Sequence, residues 1–175
     1  MRWRFSVQTR RVWAIAATLG MVLALPGCAA PEKPAVYQDQ LGPEAGESVA
    51  DYIARTPFAR PAVTSWALVT FTSPVSLADA AAFADDHPSQ RVNQLVFADR
   101  APATVPEPGR YATREDLFRI YGDIAGADTV TGLVVFASPD SLVAMNDDPA
   151  TMHVEVLPAD ATWGFIGVRP VQLDG

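Results

Sequence analysis

From Trp66 onward the chain alternates short β-type runs with helices whose starts are written into the sequence, and this restricts it to a few layered architectures of sheet and helix. Ser76-Leu77-Ala78-Asp79 and Thr113-Arg114-Glu115-Asp116 each read as a capping box. In that motif the hydroxyl takes an orphan amide of the first turn while the acid reaches back to the cap. Behind the first box, Leu77, Ala80, Ala81 and Ala84 share one helical face, which ends near Asp86, before Pro88. Behind the second, Leu117, Ile120, Tyr121 and Ile124 recur at helical spacing, and Gly126 can close the helix. Ser138-Pro139-Asp140 starts a third helix, with a cap, a proline at the first helical position and an acid favoured by the dipole; Asp148-Pro149 stops it.

The β-type runs lie at 66–71, closed by Pro74; at 91–97, with Leu95 and Phe97 on one side and Val92 and Val96 on the other; and at 129–136. Two more follow at 152–156, where His153 and Glu155 alternate with Met152, Val154 and Val156, and at 163–169. A short helix carrying Val49, Tyr52 and Ile53 precedes them, and residues 99–111 form a proline-rich loop. The order after that first helix is β-α-β-α-β-α-β-β. Two split β-α-β halves predict one α+β domain over residues 47–175, a ferredoxin-like sandwich with a mainly antiparallel sheet and helices on one face. A mixed sheet of different strand order is the alternative. Leu117, Ile120 and Ile124 are expected to form one buried face against a sheet that includes Val134 and Phe136.

Residues 1–11 carry four arginines and no acid, and residues 12–25 are almost wholly apolar. Fourteen residues of helix reach about 21 Å at ~1.5 Å per residue, short of the ~30 Å hydrocarbon core of a bilayer. A basic segment, a short apolar segment and a small-residue cleavage site make a signal peptide, here residues 1–27. The site Leu25-Pro26-Gly27-Cys28 resembles the lipobox of bacterial lipoproteins, with Pro26 departing from the usual residue at its position. The resemblance implies that Cys28 receives a diacylglycerol, that the peptidase cuts before it, and that the mature protein is lipid-anchored outside the cytoplasm. An uncleaved transmembrane anchor is the alternative, and it leaves the rest of the chain on the same side. Thr9-Arg10-Arg11-Val12-Trp13 reads either as a twin-arginine export motif or as an ordinary basic segment. Residues 28–46, with Pro31, Pro34, Pro43, Gly42 and Gly46, are expected to form a flexible tether.

The segments 66–97 and 129–158, the second with Asp148-Pro149 leading to Val154-Glu155-Val156, are similar to the propeptide and inhibitor domains of subtilisin-like proteases. That resemblance implies a ferredoxin-like fold and a binding module. The chain departs from the family in the helix inserted at 113–125 and the further strand at 163–169, and no inhibitory residue is carried over.

Composition narrows the function. Cleavage before Cys28 removes 27 of 175 residues and all four leading arginines, leaving 9 basic against 20 acidic residues, a formal charge of −11. Such a surface repels phosphate backbones, so nucleic acid is not an expected partner. The single cysteine excludes an intramolecular disulfide. Asp85-Asp86-His87 has the wrong spacing for a helical ligand pair and reads as a solvated helix end; His153 reads as a surface residue beside Glu155. Neither Asp147-Asp148 nor Asp123 with Asp128 has the spacing of a calcium loop. No metal or cofactor is expected, and no nucleophile elbow, phosphate loop or dinucleotide fingerprint is present. Trp163 and Phe165, flanking Gly164, are either core aromatics or an exposed patch for a partner, and they are the candidate binding pair. The sequence thus predicts a lipid-anchored binding domain that engages another envelope protein. A carrier of a hydrophobic ligand and an enzyme of unrecognised type are the alternatives.

Overall fold

The computed structural model describes residues 39–107, 109, 113–161 and 166–172. Cys28, Trp163 and Phe165 lie outside these residues. Eleven elements follow one another among the described residues: β1 (Asp39–Leu41), α1 (Val49–Arg55), β2 (Ser65–Ser76), α2 (Leu77–Asp86), β3 (Ser89–Val96), β4 (Ala103–Thr104), α3 (Arg114–Ala125), β5 (Thr129–Ala137), α4 (Pro139–Asp147), β6 (Thr151–Val156) and β7 (Ile166–Val168). Five strands form one antiparallel sheet in the order β4-β3-β5-β2-β6. Without β4, the two β-α-β halves interleave so that the third strand lies between the first and second, and the fourth flanks the first. This is the ferredoxin-like arrangement, with β4 and α3 inserted between its middle strands. A separate parallel pair, β1 with β7, completes the strands.

The caps act as the sequence implies, with one difference. Ser76 Oγ accepts from the Asp79 amide at 3.1 Å, and Thr113 Oγ1 from the Asp116 amide at 3.0 Å. The acids, however, accept from the capping hydroxyls instead of reaching the cap amides. Aspartate is one methylene shorter than the glutamate of a full box, and the nearby hydroxyl is the donor it meets. Ser48 caps α1 and Ser138 caps α4 in the same manner. Gly126 ends α3 at φ 67, a left-handed conformation that favours glycine, and Arg100 donates to the Ala125 and Gly126 carbonyls there.

Helices α2, α3 and α4 cover one sheet face, where Val69, Phe71, Leu133, Val135 and Val154 meet Phe83, Leu117, Phe118 and Met145. The opposite face buries Leu41, Trp66, Leu68, Val134, Leu157 and Ile166. It is not helix-free: α1 lies there, with Tyr52 against His153 and Glu155.

Several expectations change. In α3 the buried residues are Leu117, Phe118 and Gly122, with Tyr121 and Ala125 packed beside them, while Ile124 is 75% exposed. The stripe is rotated because Phe118, the bulkiest apolar side chain available, takes the core. Val134 and Phe136 belong to the opposite sheet face, since Leu133 and Val135 point at the helices and strand parity is strict. Val92 joins Leu95 and Phe97 on the helix side because the register of β3 shifts between Val92 and Gln94. The Val92 amide at this irregularity donates to Glu107 Oε2 at 2.7 Å, and Arg114 holds the same carboxylate through two nitrogens. Strand β2 runs through Pro74, past a register shift between Thr70 and Val75, instead of stopping before it.

The expected tether boundary also moves. Residues 39–46 belong with the domain: β1 pairs with β7, Leu41 is fully buried, and the Gly42 amide donates to Glu155. Gly42 has φ +93, and a Cβ there would collide with the Arg169 carbonyl. The parallel pairing across the domain's two ends is not visible as a periodicity in three residues.

Candidate functional site

Strand parity builds the site. Val154 points at the helices, so His153, Glu155 and Leu157 must point at the other face, toward α1. There Glu155 Oε2 accepts from the Tyr52 hydroxyl at 2.8 Å and from the Gly42 amide at 2.7 Å. His153 is 5% exposed and meets the Tyr52 ring edge-on, with centroids 5.2 Å apart. This corrects the reading of His153 as a surface residue: alternation distinguishes two faces of a strand, but α1 buries the second one. The Thr56 hydroxyl donates to the Tyr52 carbonyl at 2.8 Å. Its proton is thereby used, so His153 Nε2, 2.9 Å away, must carry the hydrogen and donate to Thr56.

His87 departs in the same way from the solvated helix end that the sequence suggests. It stacks on Phe83, its Nδ1 lies 3.0 Å from the Phe83 carbonyl, and its Nε2 lies 3.3 Å from Asp148. Among the described residues no three His, Cys, Asp or Glu side chains gather as metal ligands.

Beside Glu155 a groove of about 500 Å³ runs between the end of β6 and the connection from α1 to β2. Pro57, Ala59, Pro61 and Val63 form one wall, and Glu155, Val156, Leu157 and Pro158 the other. Glu155 and Leu157 belong to one sheet face and Val156 to the other, so the groove lies against the edge at the C-terminal end of the strand. The connection passes from one face to the other: Thr56 touches His153, and Arg60 pairs with Asp140 of α4 at 2.6 Å. The Leu157 amide bonds to the Trp66 carbonyl, and the register pairs Glu155 with Leu68 and Val156 with Ala67. Alternation then turns the backbone N–H and C=O of Val154 and Val156 away from β2, toward the outer edge. Among the described residues no strand pairs with that edge.

The charges are unequally compensated. Arg55 is held by Glu47 through two contacts, of 2.8 and 2.9 Å, and this guanidinium brings the Glu47 pKa down to about 2. Glu155 has no ion-pair partner within 4.0 Å among the described residues. Burial pushes its pKa up, against the opposing pull of the Gly42 and Tyr52 hydrogen bonds and of the more distant Arg55 charge. Burial, aided by the Glu155 charge, also raises the Tyr52 phenol, and desolvation lowers His153. The linkage signs are opposite. A raised carboxylate contributes stability that is complete below its ordinary value of 4.5 and is lost as pH rises through the folded value. A lowered histidine contributes stability present above 6.5 and lost as pH falls. Glu155→Gln keeps an acceptor for Tyr52 and Gly42 and removes only the charge. Its stability relative to the native chain should therefore increase from pH 4 to pH 7 in urea denaturation. A difference that is flat across this range would mean that Glu155 is not penalised by burial.

The sequence signal for this site is the polar pair His153 and Glu155 on an otherwise apolar strand; nothing in the sequence links that pair to Tyr52. In comparisons with protein-family models, curated proteins and solved structures, no match to this chain was found.

Proposed function

We propose that the chain is an exported lipoprotein, anchored through Cys28, whose domain binds another envelope protein along the groove beside β6. The observation that carries the binding reading is the outer edge of β6, unpaired among the described residues and bordered by an apolar groove. Unpaired strand edges are templates for pairing, and folded proteins commonly cover, charge or shorten them. Here the bordering connection carries Pro57 and Pro61, and no backbone bond joins it to β6 among the described residues. It stands beside the edge without closing it. Export and anchoring rest on the basic segment, the short apolar run and the box ending at Cys28. The groove is open and continues past the end of β6 along residues 157–159, which suits a polypeptide better than an enclosed hydrophobic ligand.

Cross-linking in intact cells tests the reading. A photoreactive residue in place of Val63, which is 52% exposed in the groove, should trap a discrete envelope protein. The same residue in place of Ile124, 75% exposed on α3, should not. Identical adducts from both positions would remove the groove from consideration.

A further inference from the structure

We propose that the groove seats an extended segment of the partner as an added strand on β6, and that Glu155 receives a lysine or arginine side chain of that segment. This rests on the binding reading above and names the chemistry it would select. Strand addition follows from the backbone: Val154 and Val156 turn their donors and acceptors outward, and an extended peptide supplies the complementary row. The cation follows from the side chains. Glu155 Oε2 is fixed by Tyr52 and Gly42, while Oε1 has no hydrogen bond among the described residues. The two guanidinium groups lining the groove are committed elsewhere, Arg55 to Glu47 and Arg60 to Asp140. Arg55 acts on Glu155 only from beyond ion-pair distance while it is bound to Glu47, so this half-buried carboxylate has no direct ion pair and gains from a cation brought by a ligand. The chain's net charge of −7 favours the approach of a basic segment. On an added strand, the residue opposite Glu155 shares its sheet face, and the neighbours of that residue fall on the face of Val156. The selected pattern is therefore one basic residue between apolar ones.

The test uses fluorescent, end-blocked peptides of alternating valine and threonine with lysine, norleucine or glutamate at the centre, titrated against the full-length chain in detergent. Lysine should bind tighter than norleucine by about tenfold or more, the order that one charge-assisted hydrogen bond supplies. Glutamate should bind weakest. Glu155→Gln should bring the lysine and norleucine peptides together, and methylating alternate peptide amides should weaken both. If Glu155→Gln fails to fold by circular dichroism, the salt dependence of the lysine preference on the native chain decides, and it should shrink as salt screens the pair. Equal binding of lysine and norleucine to the native chain would overturn the cation while leaving the Val63 cross-link, and with it the binding reading, intact. Indifference to amide methylation, absence of peptide binding, or competition by free spermidine as strong as by the peptide would overturn strand addition.

Discussion

Cys28→Ala should abolish incorporation of labelled palmitate and stop cleavage before residue 28, so that the chain keeps its first 27 residues. The expectation is all-or-none because the thiol is the group acylated in the family that the box Leu25-Pro26-Gly27-Cys28 resembles. No second cysteine can substitute for it. The apolar run at 12–25 is too short to serve well as a lasting membrane span, so the two fates differ clearly on a gel: a lipidated, shortened chain or an uncleaved precursor. Persistent palmitate labelling of the Cys28→Ala variant would refute the proposed anchor. A native chain that remains full length and unlabelled would favour the transmembrane alternative.

Phe118→Ala should be the most damaging single truncation in α3, costing about 3–5 kcal/mol through lost transfer energy and a residual cavity. Phe118 is fully buried in the cluster between helices and sheet. A domain of this size has only about 5–15 kcal/mol of net stability, so the variant should be close to unfolding. Ile124→Ala, six residues further along the same helix, should change stability by less than about 0.5 kcal/mol, because its side chain is 75% exposed. Urea denaturation of the full-length chain in mild detergent measures both. Comparable losses at the two positions would show that the helix is rotated from the orientation described.

The helix starts are legible in the sequence because a cap is a local device. Ser76, Thr113 and Ser138 announce α2, α3 and α4, and each accepts the expected amide. The ferredoxin-like order is legible because alternating runs allow few chain paths. What escapes is what depends on distant partners. The buried face of α3 is ambiguous because Ile120 and Ile124 fit the helical period as well as Phe118 and Gly122 do. The burial of the bulky Phe118 and the close packing of Gly122 on Leu77 favour the second stripe, and both depend on the neighbouring elements. Strict alternation misplaces Val92, because a register shift in β3 breaks it. The site is half visible: His153 and Glu155 stand out as polar, but Tyr52 lies 103 residues from Glu155 and reads as an amphipathic helix residue. Gly42 reads as part of the tether, yet it donates one of the two hydrogen bonds that fix the carboxylate.

Amide hydrogen exchange along β6 tests the open edge most directly. Val154 and Val156 turn their N–H groups outward, while Glu155 and Leu157 pair with β2, although the Val154 side chain is fully buried. In the free full-length chain, the amides of Val154 and Val156 should exchange faster than those of Glu155 and Leu157 by roughly 100-fold or more, and a bound partner segment should slow them. Equal protection of all four amides in the free chain would mean that another part of the protein already occupies the edge, and the proposed binding site would fall.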